Sequence, residues 1–422
     1  MLCRKKEEQI INIVDSIMGS GKTSWAIQYM NNVPDYQKFL YITPYKNEVE
    51  RIINTCVREF MQPQSDRNGE TKLEDIKRLV REGKNIASTH ALFQRIDSEF
   101  IDLLEMENYI LILDEVMNVI EQIDTYSNSD LNMLYNKKII EVDKNGLVLW
   151  KQNDYQDGYF ERIRNLANSN RLMMYEDSNS DPLSLYWTFP IDVFQSFEEV
   201  YILTYMFDGQ IQRAYFNLFN QKYNYYSIES KENSYQLSDY VPFDKEERKH
   251  LKELINIFYS KRTDKNDMNK IGSKPTAFSV SDLKKRTKTK ETVKLIKDRG
   301  YNFYRHKCGV SSDEVMWTTY KQFKGKIFPK GLKDQFVSVN ARATNEYQHK
   351  STCIYFANIY VNPVLQNFFS RNQVKLNVDL YALSELLQWL FRSRIRIGKS
   401  INVYIPSIRM RTLLEKYLNN QM

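Results

Sequence analysis

Cysteine is scarce in this 422-residue chain: Cys3, Cys56, Cys308 and Cys353 lie far apart, and no C-x-x-C pair occurs. That spacing excludes a disulfide framework or a zinc ribbon as the organising principle and predicts buried thiols in a reducing compartment. Long apolar runs are missing as well. No stretch approaches the roughly 20 residues that a membrane span requires, so no integral membrane protein is expected. The opening MLCRKKEEQI is basic and then acidic, and the apolar stretch behind it is too short and interrupted for a secretory core. A cytoplasmic location is the expectation. No repeat at solenoid spacing is present. One absence is local: residues 16–24 read SIMGSGKTS, a glycine loop with Gly-Lys-Thr, yet Ser16 stands where the pattern G-x-x-x-x-G-K-T begins.

What is present suits a globular protein with room for two domains: 42% apolar and 27% charged residues, with a net charge of +7. The positive charge is uneven. Residues 284–290 read KKRTKTK, the kind of stretch that attracts phosphate backbones. The 29 tyrosines and 22 phenylalanines supply stacking surfaces for bases, but an aromatic-rich core would use them equally.

Periodicity gives the organisation. IINIV (10–14) reads as a buried strand, and TSWAIQYM (23–30) after the glycine loop has helical spacing. KFLYIT (38–43), KNIAST (84–89) and YILILDE (109–115) read as further strands, with an amphipathic helix at 47–60. Strands alternating with helices predict an α/β protein with a parallel, doubly wound sheet. Residues 124–185 break that rhythm and read as an insertion, with a hairpin around Lys144, Asn145 and Gly146. EEVYILTYMF (198–207) completes the first sheet, giving a first lobe over 1–225. A helical connector is expected over 226–270. PTAFSVS (275–281), YNFYRH (301–306), DQFVSVN (334–340), TCIYFANIY (352–360) and INVYIP (401–406) then predict strands of a second α/β lobe over 271–422.

The glycine loop has the chemistry of a nucleotide site. A tight turn aims backbone N–H groups at phosphates, a lysine reaches the outer oxygens, and a hydroxyl ligates magnesium. Ser16, Ile17, Met18, Gly19, Ser20, Gly21, Lys22, Thr23 and Ser24 supply this set, and Ser16 is small enough for the bend. Asp114 and Glu115 end a buried strand, at the sheet edge where ligands of doubly wound folds sit. Asp114 is expected to hold magnesium with Thr23, and Glu115 to polarise the attacking water.

Gly19 to Thr23, Thr43-Pro44, Ser88-Thr89-His90, Asp114-Glu115 and Leu203-Thr204-Tyr205, followed by a late Gln/Arg helix, together resemble the ordered motifs of the superfamily-two helicases. MGSGKT and DEVM are similar in style to bacteriophage helicases and to herpesvirus-type replication-origin-binding helicases. The resemblance implies two RecA-like lobes with an ATP cleft between them, ATP and Mg2+ as cofactors, and Thr204 and Tyr205 in a coupling role. It also implies nucleic-acid contacts at Thr43, Pro44, Ser88 and Thr89. Residues 337–347, VSVNARATNEY, are similar to family motif V; Arg342 and Asn345 occupy its places, with an amide where the family has an acid. Residues 383–398, LSELLQWLFRSRIRIG, are similar to motif VI. They place Gln388, Arg392 and Arg396 at i, i+4 and i+8, one face of a helix, with Arg396 the preferred arginine finger and Arg392 and Arg394 its rivals. Lys284, Lys285, Arg286 and Arg342 complete the expected nucleic-acid contacts.

The expectation is therefore an ATP-driven helicase or translocase acting on single-stranded or forked DNA, with duplex DNA also open. It would serve phage or mobile-element replication or recombination, with protein partners there, in the host cytoplasm if phage-encoded. A terminase-type packaging motor and a non-motor nucleotide switch are the alternatives. The length leaves little room for a separate duplex-specific domain.

Overall fold

The computed structural model describes residues 9–65, 69, 71–155, 158–176, 183–232, 234–242, 245–260, 267–339 and 346–422. The chain forms two compact units. One comprises residues 1–16, 21–239 and 362–376; the other comprises residues 17–20, 240–361 and 377–422.

In the first unit the strands are β1 (Ile11–Asp15), β2 (Lys38–Thr43), β3 (Phe60–Met61), β4 (Asn85–Thr89), β5 (Tyr109–Asp114), β6 (Ile120–Ile123), β7 (Ile140–Val142), β8 (Val148–Trp150), β9 (Leu172–Glu176), β10 (Leu183–Thr188), β11 (Glu199–Thr204), β12 (Tyr223–Lys231) and β13 (Ser234–Asp239). Eight of them make one sheet in the order β13-β12-β1-β11-β5-β2-β4-β3. All its pairings are parallel except β12 with β13, so the sheet is mixed. The central strands are apolar on both faces because helices cover both, and Ile13, Leu111, Leu113 and Ile202 are fully buried. Since these strands are parallel, their carboxyl ends share one edge of the sheet, and the chemistry-bearing loops leave from it.

The expected insertion is a small subdomain. β6, β10 and β9 pair antiparallel, and β7 with β8 forms the hairpin expected from Lys144-Asn145-Gly146, with Asp143 Oδ1 accepting from the amides of Asn145 and Leu147 at 2.8 Å each. Its sheet begins at Ile120 and ends at Thr188, so strands on both borders of 124–185 belong to it.

In the second unit β14 (Ile255–Ile257), β15 (Val315–Thr318), β16 (Thr352–Tyr355) and β17 (Ile401–Tyr404) form an all-parallel sheet in the order β14-β17-β16-β15. β16 and β17 lie where alternation predicts them.

Four sequence expectations are corrected. Residues 226–231 and 234–239, read as part of a helical connector, form most of the β12–β13 hairpin, because Tyr226-Ser227-Ile228-Glu229 alternates apolar and polar residues at the period of a strand. Residues 275–281 are not a strand: Ser279 Oγ accepts from the Asp282 amide at 3.2 Å and starts the helix Val280–Arg286. Residues 301–306 continue the helix Lys290–Asn302 into a π turn, Phe303–Lys307, burying Phe303 and Tyr304. Within 334–339 the only pairing is an isolated bridge from Phe336 to Trp317, on β15, a strand that the sequence reading missed.

Residues 362–376, inside the span read as the second lobe, belong to the first unit. The helix Pro363–Arg371 packs Phe368 against Tyr175 and Tyr186, with ring centroids 4.9 and 4.5 Å away, and the Tyr175 hydroxyl donates to Asn372 Oδ1 at 3.2 Å.

Candidate nucleotide site

β1 delivers the chain into the glycine loop. Gly19 (φ 89°) and Gly21 (φ 94°) hold backbone conformations that side chains disfavour, and Gly21 starts the helix Lys22–Asn32. A Cβ on Gly21 would also lie 2.1 Å from the ring of Tyr235 on β13, so this glycine is required twice over. Ser16 has its own use. Its amide donates to the Thr204 carbonyl at 3.1 Å, and its Oγ accepts from the Ile228 amide of β12 at 2.8 Å. Gln28 then exchanges two hydrogen bonds with the backbone of Tyr235, at 3.0 and 3.3 Å. The hairpin thus grips the glycine loop at its first residue, at Gly21 and nearly two turns into the helix. The Lys22 ammonium donates to the Ser16 carbonyl, and Ser20 Oγ is buried without a hydrogen-bond partner among the described residues.

β5 ends at Asp114, within electrostatic reach of Lys22. Burial pushes the Asp114 carboxyl up to about 6, opposed by the hydrogen bond that Tyr41 donates to Oδ2 at 2.9 Å; Glu115 and Glu48 add to the rise, and Lys22 opposes it. His90, at the start of the helix His90–Phe93, sets its Nε2 3.2 Å from the Asp114 carbonyl. Glu115 takes the left-handed region at φ 72°, a conformation that a residue with a Cβ holds only when its neighbours enforce it. Here they do. The Glu115 amide donates to the Leu203 carbonyl at 2.8 Å, and Oε1 accepts from Thr204 Oγ1 at 2.8 Å and from the Val116 amide at 3.1 Å. Glu115 and Thr204 are thereby brought together. Tyr205 follows, buried, and Asp15 accepts from the amides of Met206 and Phe207 at 2.8 and 2.9 Å, which fixes the loop after β11.

The sheet brings two more expected sets to the same edge. β2 and β4 pair in register so that Ile42 faces Ser88 and Thr43 faces Thr89. Thr43 and Ser88 are buried, Pro44 and Thr89 half-buried, and Thr43 Oγ1 makes no hydrogen bond among the described residues.

In the second unit, Gln388, Arg392 and Arg396 do not share one helix face. The helix Val378–Leu390 ends at Phe391, the Ser393 hydroxyl donates to the Leu390 carbonyl at 2.6 Å, and Arg394–Ile397 form a separate 3-10 turn closed by Gly398 in the left-handed region. Gln388 and Arg392 are buried, with Gln388 Nε2 unpartnered among the described residues, whereas Arg396 is exposed. The Arg394 Nε donates to the Ser400 carbonyl at 2.5 Å. Lys284 and Lys285 are exposed; Arg286 is committed to Asp282 Oδ2 at 2.5 Å and to the face of Phe278. Arg342 and Asn345 lie outside the described residues.

Asp15, Tyr41, Ile228 and Tyr235 were not foreseen as site residues. Each acts through register or a long-range contact, which no local pattern displays.

The fold defines an α/β protein with mixed and parallel sheets, and the family model described as the YonV C-terminal Rossmann-like domain matches residues 249–418. The YonV middle domain matches residues 120–187, the span of the small subdomain. Over 424 aligned residues the chain is 37% identical to the SPbeta prophage-derived uncharacterized protein YonV of Bacillus subtilis (strain 168), covering 97% of this chain and 99% of that protein. It belongs to the YonV family. Among solved structures, XPD in its apo form is similar at a TM-score of 0.45 and 12% identity, covering 96% of this chain and 95% of that one. The DUF1998 helicase MrfA bound to DNA and AMPPNP is similar at a TM-score of 0.33 and 12% identity, covering 98% of this chain and 48% of that one. Among the described residues no helix is long and apolar enough to cross a membrane.

Proposed function

We propose that this protein is an ATP-dependent translocase or helicase acting on DNA, serving phage or mobile-element replication or recombination. The observation that carries the proposal is the assembly at one sheet edge of the glycine loop, Lys22, Asp114 and Glu115, with Glu115 held by Thr204.

The residues fit the nucleotide and its metal. Gly19 and Gly21 leave the backbone free to follow phosphates, and Lys22, now turned onto the Ser16 carbonyl of its own loop, is within reach of them. One hydroxyl, Thr23, and one carboxylate, Asp114, match how Mg2+ is held when phosphates and water supply its remaining ligands. When bound, the metal would neutralise charge on the phosphates. Asp114 must lose its proton to serve it. Glu115 Oε1 is already occupied by Thr204 and the Val116 amide, which orients the carboxylate that would take a proton from the attacking water.

Thr204 and Tyr205 lie between two functional segments of the chain: the backbone after them is tied to Asp15, beside the glycine loop, and Thr204 itself holds Glu115. That arrangement supports the proposed coupling role. The half-buried Pro44 and Thr89 and the exposed Lys284 and Lys285, with Arg286 beside them, are the proposed nucleic-acid contacts, made without reading bases. Among the arginines, burial favours Arg392 over the exposed Arg396 as the one that takes part in hydrolysis.

The test is Mg-ATP hydrolysis with and without single-stranded, duplex and forked DNA, beside Lys22→Ala, Arg392→Ala and Arg396→Ala. Stimulation by DNA that Lys22→Ala abolishes supports the motor. ATP hydrolysis that no DNA accelerates leaves a nucleotide switch instead. Arg396→Ala losing activity while Arg392→Ala keeps it would reverse the arginine assignment.

A further inference from the structure

The second unit carries an open groove of about 510 Å³, one side of which is the end of the basic 284–290 stretch. One wall is the helix Lys290–Asn302 with the turn before it; the other is the loop at 328–330. That loop is fixed: Gly300 lets Pro329 approach so closely that a Cβ there would lie 2.5 Å from the proline ring, and the Tyr304 hydroxyl donates to the Lys330 carbonyl at 2.7 Å. Five lysines line the groove, Lys288, Lys290, Lys294, Lys297 and Lys330, against a single carboxylate, Asp298. None of the five forms an ion pair among the described residues. The Lys297 ammonium stands 4.4 Å from the centre of the Phe328 ring, held by aromatic contact while its charge stays uncompensated.

Lys290, Lys294 and Lys297 fall at i, i+4 and i+7, one face of the helix, in a row about 10 Å long. That is longer than one phosphate group needs. A duplex carries a charge about every 1.7 Å of its axis, so a row of this length faces several phosphates at once. The lining offers stems and ammonium groups and no array of buried donors and acceptors with which to read a base or a headgroup. The helix shows one large exposed apolar side chain, Leu295, too little for insertion into a lipid surface.

We infer that this groove binds the phosphodiester backbone of DNA, independently of sequence and of the nucleotide site. The inference deepens the proposed DNA contacts at Lys284, Lys285 and Arg286 and rests on that reading of DNA as the substrate, but it stands if the ATPase proposal fails, because the groove shares no residue with the glycine loop.

The test is binding of a fluorescein-labelled DNA duplex and single strand to the full chain without nucleotide, by anisotropy, over a series of salt concentrations. The variants are Lys290→Glu/Lys294→Glu/Lys297→Glu and, for equal charge change elsewhere on the same unit, Lys249→Glu/Lys252→Glu/Lys416→Glu; the neutral Lys294→Gln is the milder probe should the groove triple variant lose its thermal transition. The groove triple variant is expected to lower duplex affinity at least tenfold in 50 mM salt. It should also flatten the slope of log K against log salt by about 2 to 3, since each lost phosphate contact removes about 0.9. The control triple variant is expected to change little, and Lys294→Gln to lose affinity in the same direction. Equal losses in both triple variants, or none in the groove variant, would overturn the inference. So would competition by inorganic pyrophosphate at the same phosphate concentration as DNA, which marks a small-phosphate site, or capture by phosphatidylserine vesicles without capture of DNA. The Lys22→Ala chain should bind DNA undiminished here, which separates this result from failure of the ATPase proposal.

Discussion

Asp114 is the residue at which burial, charge and chemistry meet. Its carboxyl sits near 6 in the folded chain against an ordinary 3.8, so folding favours the protonated form. The stability it contributes is therefore complete below pH of about 4 and lost as pH rises through about 6. Asp114→Asn is expected to leave thermal stability at pH 4 unchanged and to raise it at pH 8 by up to about 3 kcal/mol, while removing hydrolysis. Melting curves at the two pH values check the sign. Tyr41→Phe deletes the hydrogen bond that holds this carboxyl down, so the acid limb of the ATPase profile should move to higher pH. An unmoved limb would separate Asp114 from the proposed metal site. Ser16 is the second telling residue, because restoring the glycine of the general pattern removes a hydrogen-bond acceptor. Ser16→Gly is expected to cost about 1 kcal/mol and to speed hydrogen exchange at the Ile228 amide.

The β12–β13 hairpin and the helix Pro363–Arg371 are the elements least visible from sequence. Gly21→Ala meets both a left-handed backbone and the Tyr235 ring. It should lose nucleotide binding and stability together, and adding Tyr235→Ala should restore only the part due to the ring; denaturation of the single and double variants gives that non-additive term. Phe368→Ala is expected to cost about 3 to 5 kcal/mol, felt as loss of exchange protection in β9 and β10 rather than in β16 and β17. The glycine loop, the strand ending in Asp114-Glu115 and the hairpin at Asn145-Gly146 were legible because each is a local pattern of turn residues and periodicity. Tyr41 and Asp15 were not, since their roles come from the strand order that sets β2 and β5, or β1 and β11, side by side. YNFYRH misled for a related reason: its aromatic residues suit a strand, but they bury one face of a helical turn instead.

At the scale of the molecule, β1, β2, β4 and β5 lie where the sequence predicts strands, whereas the helix expected over 47–60 ends at Thr55 and Phe60 opens β3; β11 takes its place at the centre of that sheet, beside β1 and β5, where Thr204 meets Glu115. The second unit was legible mainly at β16 and β17, and the short strand β15 and the return of residues 362–376 to the first unit depend on packing that no single segment encodes. The central proposal is that ATP is bound and hydrolysed at the carboxyl edge of the first sheet. The most direct measurement pairs equilibrium binding of Mg-ATP with its hydrolysis in wild-type, Lys22→Ala and Glu115→Gln proteins. The account predicts that Glu115→Gln binds ATP as the wild type does but turns it over at least a hundredfold more slowly, and that Lys22→Ala loses binding. Undiminished turnover in Glu115→Gln, or full ATP binding in Lys22→Ala, would contradict it.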